Sequence, residues 1–224
     1  MRFTRTISTA LAAVVASGLL VAGALAASSG TGTTHTMAGM TKTAAASPAA
    51  DLRVTLGNLF GEHAVLAMNA TNAGITGSKA FPAAAASLDK NSVALSKAIA
   101  SVYGAKAGQT FLNGKFMWRA HIKFFVDYTV AKSKKDTAGQ NKAVANLKQY
   151  TVTFGNFLAT ATGLPKLAVR NDLLGHVLEL KGQLDAYAAG NYGKAANLYN
   201  DAYNHMFMTS DLVAGAIIKQ KGLK

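Results

Sequence analysis

Cysteine is absent from the 224-residue chain, which excludes disulfide scaffolds, thiolate zinc sites, iron–sulfur clusters, covalently attached c-type haem and thiol catalysis. Any metal must be held by His, Met or carboxylates. Proline is nearly missing, with three residues, so little interrupts long helices in an Ala-rich chain. Aromatics make up 8%, too few for a sandwich or barrel. Acidic residues are scarce: 10 Asp plus Glu stand against 23 Lys plus Arg, a net charge of +13. The glutamates are Glu62 and Glu179 alone, which removes a ferritin-type dinuclear iron centre with its several Glu and two Glu-x-x-His pairs. No Gly-rich phosphate loop, HExxH or nucleophile elbow occurs, so the chain does not read as an enzyme. Half the residues are apolar, enough for one well-formed core.

Met1 to Thr6 carries Arg2 and Arg5, and an apolar run from about Ala10 to Ala26 ends in Ala24-Leu25-Ala26. Residues 1–27 therefore read as a secretory signal peptide. Ser17 and Gly18 interrupt the run, and no second run of roughly twenty apolar residues follows, so no transmembrane segment is expected after cleavage. The secreted product stays strongly basic and suits anionic polymers of a cell envelope. The lysines are spread over every helix, and the dense Lys132–Lys135 cluster reads as a solvated helix end, so no nucleic-acid partner is expected. Residues 28–50 are rich in Ser, Thr, Gly and Ala and read as a flexible tether. Within it, His35, Met37 and Met40 form HTMAGM, a soft cluster of the kind copper accepts.

From Asp51 onward apolar residues recur at three- and four-residue steps, predicting helices near 51–72, 79–103, 107–134, 139–162, 166–189 and 193–220. Short links favour antiparallel neighbours, hence an all-α up-and-down bundle of about six helices over residues 51–224. Asp51 and Ser78 are plausible N-caps, while Pro82 and Pro165 stand at helix starts. Leu88 to Gly104 and Leu147 to Gly163 span equal steps, each ahead of a His-bearing helix, which points to a duplicated helical hairpin.

Four histidines, His63, His121, His176 and His205, fall inside four different helices, each flanked by apolar residues at helical spacing. Imidazoles on rigid, facing helices are a standard way to build a metal or haem site. Met208 stands one turn beyond His205 and adds a thioether. This donor set favours a copper ion, then zinc, then haem held by two histidines. Glu62 adjoins His63 about 100° round the helix and cannot easily share an ion with it. Asp172 and Asp201, four residues before His176 and His205, are candidate partners that fix an imidazole tautomer. The competing reading is a non-catalytic structural or interaction module of the envelope or matrix, in which the histidines only pack.

At GEHAVLAMNAT, AASLDKNSVALSKAI, HIKFFVDYTVA and HMFMTSD the body resembles a group of secreted bacterial all-helical proteins, some of which carry a copper amine oxidase label. The resemblance spans about residues 51–220 and implies a secreted helical body. It implies no amine oxidase activity. Copper amine oxidases proper are large β-rich enzymes with a His-x-His pair and a quinone made from Tyr in Asn-Tyr-Asp/Glu. This chain has no His-x-His, and Gly193 follows Asn191-Tyr192.

Overall fold

The computed structural model describes residues 47–224, so the expected signal peptide, nearly all of the expected tether and its HTMAGM cluster lie outside the described residues. Those described are all-helical: α1 (Pro48–Ile75), α2 (Phe81–Tyr103), α3 (Ala105–Leu112), α4 (Trp118–Ser133), α5 (Thr137–Thr162), α6 (Lys166–Ala188) and α7 (Tyr192–Lys221). None of them is long and apolar enough to cross a membrane.

Helix α1 starts before the expected Asp51. Ser47 caps it by accepting from the Ala50 amide, and Pro48 occupies the first turn, where its missing N–H costs nothing. Ser78 likewise does not cap α2. It accepts from the Ala80 amide in the preceding turn, and Pro82 lies in the helix's first turn.

Seven helices replace the expected six because the 107–134 stretch is broken. Asn113 and Met117 are extended, and Gly114 between them takes φ 139°, a conformation open to glycine but not to a Cβ-bearing residue. The short α3 folds back on α2, where the Ser96 hydroxyl donates to the Gly108 carbonyl at 2.8 Å. A Cβ on Gly108 would stand 2.6 Å from the Ser96 backbone carbonyl oxygen, so the close approach needs glycine. The break lets α4 begin afresh against α1.

Cross-helix contacts fix the directions. Phe60 meets Trp118 and Gly74 meets Thr129, so α1 and α4 run parallel. His63 lies near His176 and the Gln183 amide donates to Asn72, so α6 runs the same way. Helices α2, α5 and α7 run oppositely. Gly74 faces Phe81 while Leu59 accepts from Asn91; His121 stacks on Tyr150 while Ala131 meets Gly139; Gly57 and Gly61 lie under Phe207, with Arg53 paired to Asp211. The described body closes on itself, since the Ala49 amide donates to the Lys224 carbonyl at 3.3 Å.

The three parallel helices share one burial pattern. Three residues before each histidine stand Phe60, Trp118 and Leu173; four after stand Ala67, Phe125 and Leu180; eight after stand Thr71, Thr129 and Leu184, all buried. These spacings mark a single helix face, and each fully buried large apolar side chain adds about 1.5–3 kcal/mol. The two threonines remain satisfied inside it by donating to the carbonyls of Ala67 and Phe125 one turn back.

Candidate metal centre

Equal register on three parallel helices carries His63, His121 and His176 to one level of the core. They are only 1%, 2% and 6% exposed. The Nε2 atoms of His63 and His121 lie 3.4 Å apart, with ring centroids at 5.3 Å. His176 lies farther off, its ring 6.1 Å from that of His63. Trp118 packs against both members of the close pair at 4.8 and 4.7 Å, and Tyr150 stacks on His121 at 4.6 Å.

Polar atoms here have few protein partners. His63 Nδ1, His121 Nδ1, Trp118 Nε1 and both ring nitrogens of His176 are buried without one. A buried donor or acceptor left without any partner costs about 1–3 kcal/mol, so five such nitrogens in one cluster call for a bound group or water. Burial, with repulsion from His121, holds His63 well below the usual imidazole range. Burial, with His176 as a neighbour, takes His121 down to about 3 against a smaller upward pull from the Trp118 backbone one turn back. Burial again, with His63 and His205 as neighbours, lowers His176 strongly. All three are neutral imidazoles, the form that ligates metals.

His205 belongs to a different environment. Its Nδ1 meets Glu179 at 2.8 Å and its Nε2 meets Asp172 at 3.2 Å. The Asp172 hydrogen bond, only partly opposed by burial and reinforced by Glu179, raises it to about 9. It is therefore a cation at neutral pH with both ring nitrogens taken, and it does not join the neutral set. The ring reaches this place because residue 175 is glycine: a Cβ there would stand 2.9 Å from His205 Cε1. Met208 does not join either. It is 66% exposed, because the inner face of α7 is formed by Ala202, Met206, Thr209 and Val213.

The carboxylates also pair differently from the sequence expectation. Asp172 serves His205 and Thr209 on α7 rather than His176 on its own helix, and Asp201 is exposed. Glu62 turns away from its neighbour His63 and accepts from Asn91. The Lys132–Lys135 cluster does end α4, with Lys134 and Lys135 exposed, but Lys132 pairs with Asp185 at 2.8 Å. Tyr150 was invisible as a site residue, being an ordinary aromatic on an amphipathic face, and the Asp172–Thr209 link crosses two helices and leaves no local spacing.

A small cavity runs beside the cluster, lined by Trp118, His121, Tyr150, His176, Asp172 and Thr209 among others. With the rings as they stand, no set of three or more His, Asp or Glu side chains among the described residues can hold one ion. The arrangement thus offers a ready pair, His63 with His121, and a third neutral imidazole nearby. No family model, curated protein or solved structure matches the chain.

Proposed function

We propose that this is a secreted, basic helical-bundle module that binds a copper ion through His63 and His121, with His176 turning in to complete the set. One observation carries the reading: the 3.4 Å between the two Nε2 atoms. Two nitrogens bonded to one ion at about 2.0–2.1 Å in tetrahedral geometry stand about 3.4 Å apart. Their neutrality and unpartnered Nδ1 atoms support it further, because imidazoles without a competing proton or partner are ready donors. Copper is preferred over zinc because it heads the divalent affinity order at nitrogen sites. Haem has less support, since Trp118, Phe154 and Phe111 fill the space beside His121.

The hairpin-duplication reading has support of its own. Each buried residue of α2 from Leu88 to Ile99 has a buried counterpart at the same step of α5 from Leu147 to Leu158. The link to the next helix differs between the copies by about one helical turn, since His121 follows Gly104 by seventeen positions and His176 follows Gly163 by thirteen.

Titration with copper(II) followed by calorimetry tests the function. One ion per chain is expected, and His63→Ala or His121→Ala should weaken binding at least about 100-fold, the scale of losing one good ligand. The competing reading, an envelope module whose histidines only pack, is favoured by the lack of a complete three-ligand set. It predicts no heat of binding and no difference between the variants.

A further inference from the structure

The cavity has one carboxylate in its wall, Asp172, and that residue lies where α6 and α7 meet solvent. Its other wall residues are apolar or aromatic apart from Thr209, Tyr150, His121 and His176. Asp172 and Glu179 clamp His205 from its two ring nitrogens, their side chains 23% and 27% exposed. Behind them stands His176, 6% exposed, lining the same cavity with neither nitrogen engaged. Trp118, Tyr150 and Phe154 line the same cavity around His121.

We infer that Asp172, Glu179 and His205 form the port through which a cation reaches the buried imidazoles, with His176 the first of these that it meets. This rests on the copper reading above and adds the route. The chain is strongly basic, so a cation is repelled over most of the surface; Asp172 in the cavity wall and Glu179 beside it, set against the single positive charge of His205, leave a net negative spot that draws a cation there. Carboxylate oxygens hold a hydrated ion loosely, and imidazole nitrogens then take it more firmly. The His205 ring lies between the two carboxylates, 6.1 Å from the ring of His176. It is seated over the backbone of Gly175, so its position depends on a missing side chain.

Stopped-flow mixing of the full chain with copper(II) chloride tests this, reading quenching of Trp118, the one tryptophan, which touches the rings of His63 and His121. In Asp172→Asn with Glu179→Gln, uptake should slow at least about tenfold and release to a chelator should slow by a similar factor. One ion should still bind with affinity within about threefold of the parent, because a port alters both rates together. Gly175→Ala keeps both carboxylates and pushes the ring aside, so uptake should quicken about twofold or more. If the double variant melts well below the parent, Glu179→Gln alone is read, with slowing of about threefold expected. Unchanged uptake in the carboxylate variants overturns the port. So does slower uptake with a matching loss of bound copper, which would make the carboxylates ligands. Failure of the parent protein to take up copper at all overturns the function itself, a result distinct from either.

Discussion

At the scale of single residues, the imidazoles pull stability in opposite directions with pH. His63, His121 and His176 have folded values below the ordinary 6.5, so the unfolded chain binds protons that the folded one refuses. Their contribution is complete above about pH 6.5 and is lost as pH falls, for His121 down to about 3. Each such group lowers stability by about 1.4 kcal/mol per pH unit while only the unfolded form titrates. His205 is raised to about 9, so its contribution is complete below about 6.5 and drains away as pH climbs through 9. Urea denaturation of the metal-free protein across pH 4–10 should therefore peak near pH 6.5. A monotonic rise from pH 6 to 9 would refute the assignment for His205. Replacement of His176 by Leu removes two unpartnered buried nitrogens and should stabilise the metal-free protein by about 1–3 kcal/mol while weakening copper binding. Loss of stability in that variant would show that the imidazole is needed for packing.

At the scale of elements, periodicity located the helices because each buried face repeats every three or four residues. It could not locate the break between α3 and α4. Phe111, Phe116, Met117 and Trp118 keep apolar spacing across it, and only the backbone of Gly114 betrays the interruption. Three of the histidines were legible as inward-facing for the same reason that the helices were. What spacing could not show for His205 and Met208 is what they meet, because the inward face of α7 is set by α1 and α6, whose glycines at 57, 61 and 175 let it settle close: His205 turns to two carboxylates and Met208 to solvent. Pairing across helices, such as Asp172 with His205, leaves no trace in local spacing. Gly108→Ala tests the element scale: its new methyl would collide with the Ser96 carbonyl and the Ala100 side chain. A loss of about 1–3 kcal/mol is expected, measured by thermal melting, with α3 the segment whose amides lose protection from exchange first.

At the scale of the whole molecule, copper binding to the folded state alone should raise the melting temperature by mass action. At a free ion concentration 100 times the dissociation constant the gain is about 2.7 kcal/mol, worth about 5–10 °C for a body of this size. Scanning calorimetry with and without the ion would register it, and His63→Ala with His121→Ala should erase it.

The hydrogen bond between the Ala49 amide and the Lys224 carbonyl has a consequence for engineering the body. A few residues of linker from Lys224 back to Ser47 would span the gap, and new ends could be cut at the turn after α1, where Gly77 is exposed. Such a rearranged chain would begin with α2 and finish with α1, turning the first imidazole in sequence into the last without moving it in space.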